Sequence, residues 1–334
     1  MSTSLDQADL LLDTRGIQRA LEEHVVAAGF VGTQAAFALG NGTVWLAHTD
    51  WQAHAVHKGA VLCLAPAGDA VVTGGDDGRV CRVSGAGVTE LASLGRGWVN
   101  AVAAHSGVVA AATGKQVHVL QGGAPLKVLD HPSTVTGVAF DGRGKRIAAS
   151  HYNGASLWFV AARVDTPRML EWKGSHTGVV IHPAADAVVT SMQENSLHGW
   201  RLADGQHMRM SGYPSKTEAM GFTRSGKWLV TAGAESVVLW PFTGGGPMGK
   251  QPMELAGGDA MLCTRVACHP QQDTVAAGFA DGLVVLAEIA TGRIVPICGP
   301  GRGPVSALAW APDGTALAWG TETGFAARVD LSRR

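Results

Sequence analysis

HPSTVTGVAFDGRGKRIAASHYNGASLW, residues 131 to 158, decides how the rest of the chain is read. It opens on a His-containing turn, after which Val135-Thr136-Gly137-Val138-Ala139-Phe140 alternates as a strand does. Asp141 to Lys145 supplies a polar turn, Arg146 to Ser150 a second apolar strand, Tyr152-Asn153-Gly154 a second turn, and the run to Trp158 a third strand. A period of two broken by Gly, Asp and Asn belongs to strands and hairpins, whereas a helix repeats every three to four residues.

The same unit recurs along the chain. Eight approximate copies have first strands beginning near Val25, Ala60, Val99, Val135, Val179, Ala219, Cys263 and Val305. Second strands follow, such as AVVTGG (70–75), AVVTSM (187–192), WLVTAG (228–233) and ALAWGT (316–321), and then third strands after short turns. Strand-rich repeats of about 40 residues are the four-stranded blades of a β-propeller. The expected fold is therefore an all-β propeller of eight four-stranded blades, with seven as the alternative should the first or last unit be degenerate. The last copy stops after three strands, at Val329-Asp330-Leu331. Its fourth strand is expected from Ile17 to Glu22, an arrangement that closes the ring and removes two exposed edges. A short amphipathic surface helix over IQRALEEH (17–24) is the competing reading. No linker divides the chain, and TGGGPMGKQP (243–252) reads as a loop inside the sixth unit. One domain over 1–334 follows, with repeats from about 25 to 331 and an extension over 1–16.

The early His, the Asp/Asn-Gly turn and the late Trp of 131–158 resemble a WD40 repeat, and the resemblance covers the chain from about Val25 to Leu331. In that family a His before the first strand, a Ser or Thr on the second and a Trp on the third form a buried hydrogen-bond network with a turn Asp. The resemblance implies this structural role for His131, Ser150 and Trp158 in unit four, with Asn153 near the turn position. It implies the same for His176, Thr190 or Ser191, and Trp200 in unit five. Unit six keeps Thr231 and Trp240 but has no His before its first strand. Unit two has Asp76 or Asp77, with Val83 near the Trp position. Buried imidazole and indole N–H groups must find partners, which is the physical reason for such a network. High Ala and Gly content with degenerate repeats resembles a bacterial member of the family. The resemblance further implies a rigid, non-catalytic platform that assembles partner proteins.

Composition narrows the alternatives. At 334 residues, 46% hydrophobic and 16% charged, the chain has ample material for a core. Its net charge of −1 argues against nonspecific nucleic-acid binding, which needs clustered excess Lys and Arg. Five cysteines without a CxxC pair do not form a disulfide framework, and Cys63, Cys263 and Cys268 on apolar strands read as buried thiols. MSTSLDQADLLLD has no basic region followed by an apolar run, and no stretch of about 18 apolar residues occurs, so neither signal peptide nor membrane span is expected. A cytoplasmic, monomeric propeller is the expectation.

On the WD40 pattern, the inter-blade loops and the turns between strands two and three share one face of the disk. The loops HKG (57–59), GRGW (95–98), EWKGSH (171–176), GYPSK (212–216) and GPGRGP (299–304) bring Lys58, Arg96, Lys173, Lys216 and Arg302 to that face. Both tyrosines of the chain, Tyr152 and Tyr213, fall there too, as do the turns HYNG (151–154) and MQEN (192–195). Aromatic and basic groups converging on one surface are typical of binding hot spots. The expected partner-binding set is Trp98, Tyr152, Trp172, Lys173, Gln193, Glu194, Tyr213 and Lys216, and it would suit a protein or peptide, acidic in character, or another anionic group. The competing reading is solvated Lys and Arg in Gly-rich loops, with aromatics capping blade ends. Whether the cations point into the channel or outward stays open.

Other chemistries have less support. His48, His54 and His57 with Asp50 are zinc-type ligands, but His54 and His57, three apart, would point to opposite faces of a strand. Surface or structural histidines are the favoured reading there, and no metal or cofactor is expected. There is no GxSxG elbow, Walker loop or HExxH, and Gly244-Gly245-Gly246 lacks a following Lys and helix. Glu171, Glu194 and His176 could meet near one rim for acid/base work. A hydrolase, or a metal- or small-anion-binding protein with its site at the central channel, is therefore the alternative to a scaffold.

Overall fold

The protein is described by a computed structural model over residues 10–257 and 260–332. First strands pack against one another in chain order around a centre, and Val305–Trp310 packs on Val25–Val31, so the ring is continuous. Among the described residues seven hydrogen-bonded sheets radiate from it, six of four strands and one of six.

The expected eight separate four-stranded blades are thereby corrected. Units four and five lie in one sheet, because Arg146–Phe159 and Arg168–Ile181 are single 14-residue strands that each run through two places of the pattern. The first doubles back at Asn153 (φ 65°) and Gly154 (φ 137°), so that Val160 N–H donates to the Lys145 carbonyl at 2.9 Å. The second passes from the outer edge of unit four, where Gly154 pairs with Glu171, to the inner strand of unit five, where Val179 pairs with Thr190. It turns at Gly174 (φ 111°) without leaving the sheet. A Cβ there would meet Met192 Cε at 2.8 Å and Glu194 Oε1 at 2.9 Å. The expected separation failed because a turn rich in Gly need not break backbone pairing.

At the amino-terminal side a helix, Leu11–Arg15, precedes a strand, Gly16–Ala20. That strand lies at the outer edge of the last sheet, paired from Gly16↔Val329 to Ala20↔Phe325. The helical reading of 17–24 therefore does not hold.

The core lies between sheets, and each buried cluster mixes adjacent units, as Val72 with Val109 and Ala111, or Phe37 with Ala316 and Ala318. Second strands are covered on both faces, and Ala70–Gly75, Ala187–Met192 and Ala316–Thr321 are buried at every position. This explains why they read as unbroken runs of small apolar residues rather than as alternation. Close approach demands glycine at one recurring place. A Cβ on Gly74, Gly278 or Gly320 would stand within 2.5 Å of Val99, Val305 or Val25 of the next unit.

Most first strands carry a β-bulge at their start, for example between Val99 and Ala101 and between Val305 and Ala307. The extra residue is polar in several units and reaches across the junction. Asn100 donates to the Val135 carbonyl at 2.8 Å, Thr264 to Val305 at 2.7 Å and Ser306 to Val25 at 2.6 Å; Thr136, just before the unbulged first strand of unit four, donates likewise to His176. A bulge aims a side chain that regular pleating would turn away.

Candidate functional site

Inter-unit loops and the turns between second and third strands do share a face, tied by backbone bonds. Val56 N–H donates to Gly42 C=O at 3.0 Å, Leu94 to Gly78 at 2.8 Å, His131 to Lys115 at 2.9 Å and Gln193 to Ser175 at 2.9 Å.

Strand register defines which loop residues are equivalent. Leu64↔Thr73, Val138↔Ala149, Val179↔Thr190 and Met220↔Thr231 are corresponding pairs in units two, four, five and six. Seven residues before the first member of each stand His57, His131, Trp172 and Tyr213. Three of these four are buried hydrogen-bond hubs. His57 bonds Asp77 Oδ1 through Nδ1 and Thr73 Oγ1 through Nε2, both at 2.9 Å. Burial works to raise the Asp77 carboxyl, but the N–H of Lys58, the His57 ring and the N–H of Arg79 together hold it low. Trp158 Nε1–H donates to His131 Nε2 at 3.1 Å. An indole can only donate, so the His131 proton sits on Nδ1 and the ring is neutral. Burial foremost, then the neighbouring His151, pushes the His131 pKa down to about 4. In unit six Trp240 Nε1–H donates to Tyr213 Oη at 2.6 Å, Tyr213 to Thr231 Oγ1 at 2.6 Å, and Thr231 to the Val238 carbonyl at 3.2 Å.

Two expectations are corrected here. Tyr213 is not a surface contact: it is 8% exposed and occupies the place of the missing His of unit six. Ser150 is not a partner of His131. It pairs with Gly137, one step from Ala149, so it faces the other way and meets Thr136 Oγ1 at 3.0 Å.

Unit five departs from the other three. Trp172 stands where they place a hub, and it is only partly buried. His176, four residues later, takes over, with Nδ1 against Thr190 Oγ1 at 2.7 Å and Nε2–H donating to the Trp172 carbonyl at 3.0 Å. Both His176 nitrogens are thus engaged, which leaves no free base for the acid/base pairing with Glu171 and Glu194. Trp200 is buried, but its Nε1–H donates to the Glu171 carbonyl at 3.3 Å rather than to His176. The Trp172 ring stacks on His198 with centroids 4.0 Å apart at 12°. His198 Nε2 lies 2.9 Å from His207 Nδ1, and burial, then His207, pushes the His198 pKa down to about 3.

Partly buried against the core on one side, Trp172 forms a shared wall with Tyr152 and Lys173 between two adjoining hollows. One, of about 410 Å³, is completed by Met192, Glu194, Ser196 and Arg209. The other, of about 640 Å³, is completed by Pro132, Ser133, His151, Asn153, Met169 and Glu171. Glu194 Oε1 accepts the Ser175 N–H at 3.2 Å, and Asn153 Oδ1 accepts the Gly174 N–H at 3.2 Å. Tyr152 is 59% exposed.

Of the expected contact residues, the structure gathers Tyr152, Trp172, Lys173 and Glu194. Gln193 is exposed on the same turn but lines neither hollow, and Trp98, 66% exposed, stands on the unit-three loop away from both. Lys216 pairs with Glu218 at 3.5 Å, and Arg302 stacks over Phe325 at 4.9 Å. Two of the five loop cations are thus engaged within the protein. His57, weighed as a metal ligand, belongs to the unit-two network, and no group of three metal-ligating side chains occurs among the described residues. Arg209 and Met169 escaped the sequence reading because they lie on strands, where only the register His198↔Arg209 and Ser156↔Met169 brings them to the face.

A family model, "WD domain, G-beta repeat", matches residues 48–81, the stretch that contains His57 and Asp77. No curated protein matches the chain in sequence. Among solved structures, the computationally designed Ika8 protein superposes with a TM-score of 0.76 at 20% identity, over 93% of this chain and 98% of that one. The WD40 β-propeller domain of Doa1 superposes with a TM-score of 0.63 at 12% identity, over 94% and 95% of the two chains. The chain thus carries a WD40 repeat and has the fold of a WD40 propeller. No helix among the described residues is long and apolar enough to cross a membrane.

Proposed function

We propose that this chain is a non-catalytic scaffold, a single monomeric propeller of the bacterial cytoplasm that docks a protein or peptide on the face around Tyr152, Trp172 and Lys173. WD40 propellers are in general protein-interaction platforms, and that is the background to the reading. The observation that carries it is the placement of Trp172. At the position where units two, four and six bury a hydrogen-bond hub, unit five places a large aromatic that walls two hollows, beside a Tyr that is 59% exposed. Partly buried aromatics beside cations are the composition of an interface centre.

The test is affinity capture from the source cells with Tyr152→Ala, Trp172→Ala and Lys173→Ala combined. A partner held by the wild type and lost from the folded triple variant supports the reading. Equal capture by both would reject this face.

A further inference from the structure

The two hollows differ in chemistry, and the difference specifies what a docked segment must carry. Lys173 and Arg209 both line the smaller hollow, and neither forms an ion pair among the described residues. Elsewhere comparable cations are matched, as Arg265 with Glu218 at 3.0 Å or Arg79 with Glu90 at 2.7 Å. The one carboxylate of the smaller hollow, Glu194, is turned to the Ser175 N–H. Two cationic residues therefore share one hollow with two aromatic rings and a single, already engaged carboxylate. The Ser196 hydroxyl, which also lines the smaller hollow, is buried and donates only to the weakly accepting Met192 sulfur at 3.7 Å. The larger hollow lacks that cationic excess: Glu171 stands there beside the shared Lys173, and Pro132 and Met169 add apolar surface.

We propose that the face recognises an extended peptide segment in which an Asp or Glu carboxylate enters the smaller hollow between Lys173 and Arg209, while an apolar side chain two residues away enters the larger one. This rests on the docking reading above. Charge-assisted bonds from an ammonium and a guanidinium are short and strong, and the Arg fork matches a carboxylate. One layer of side chains, Tyr152 and Trp172, separates the hollows. Alternate residues of an extended chain point the same way about 7 Å apart, a spacing suited to straddling that wall.

The probes are fluorescein-labelled, end-blocked heptapeptide pools with fixed Leu-x-Glu or Glu-x-Leu, and matching pools with Gln for Glu, measured by anisotropy. Glu pools are expected to bind about ten-fold tighter than Gln pools, and Lys173→Met or Arg209→Met to remove most of that preference. Affinity for the Glu pools should also fall as salt is raised. Equal binding of Glu and Gln pools, no binding of any pool at millimolar concentration, or binding of inorganic phosphate as tight as the Glu pools would each overturn the proposal. A natural partner lost from the Tyr152/Trp172/Lys173 triple Ala variant but kept by Arg209→Met leaves the docking face standing and removes its acidic specificity. A partner kept by both removes the two together.

Discussion

Tyr213 shows what a single position can hide. Sequence spacing put it on a surface loop with the basic residues, yet its hydroxyl accepts from Trp240 and donates to Thr231 in a chain where each proton is used once. The clue was present: unit six kept its Thr and Trp but lacked a His, and an indole N–H cannot be buried without an acceptor. His131 and Trp158 were legible because the family spacing is intact there, whereas Ser150 misled by one residue, which in a strand reverses the face. Tyr213→Phe should cost about 1–3 kcal/mol, because it strands the buried Trp240 N–H. The double variant with Trp240→Phe should cost less than the sum of the two single changes. Urea midpoints of the four proteins check this, and strict additivity would contradict the bond.

At the scale of elements, strands and their order were readable because apolar runs and Gly-Asp-Asn turns punctuate them. Pairing across a turn was not readable, since hydrogen bonding between backbone groups leaves no mark on side-chain pattern. The six-stranded sheet is the result. The bulge hydroxyls were equally hidden, as a lone Ser or Thr at a strand start carries no distinctive spacing. Ser306 is the one that joins the last unit to the first, bonding Val25 C=O at 2.6 Å. Ser306→Ala should therefore destabilise by about 1–2 kcal/mol by leaving a buried carbonyl unpaired. Thermal unfolding would show this as a lowered midpoint, and an unchanged midpoint would mean that the bond contributes nothing net.

Across the whole molecule, buried neutral histidines make stability depend on acid. His131, His151, His176 and His198 all have pKa values pushed down from 6.5, in each case chiefly by burial. The unfolded chain takes up these protons near pH 6.5, but folded His131 does so only at about 4. Between those values the unfolded state binds more protons, so stability is full above about pH 6.5 and declines as pH falls toward 4. His131 alone accounts for up to about 3 kcal/mol of that decline. Urea midpoints should drop between pH 7 and 4.5. His131→Gln, which keeps an acceptor for Trp158 without titrating, should lose about one proton's share of the drop. Equal wild-type midpoints at the two pH values would show that these rings are not buried neutral groups.

The strand that carries Trp172 and Lys173 also limits how this face can change by descent. Loops at the other junctions tolerate an extra residue, since lengthening a surface connection costs little. An insertion or deletion between Glu171 and His176 is different. Unless the irregularities already present beside Tyr152 and His176 absorb it, it slips either the Gly154↔Glu171 pairing or the His176↔Met192 pairing, and side chains beyond it swap sides. Specificity at this junction can therefore drift by substitution, one side chain at a time, while its length stays fixed.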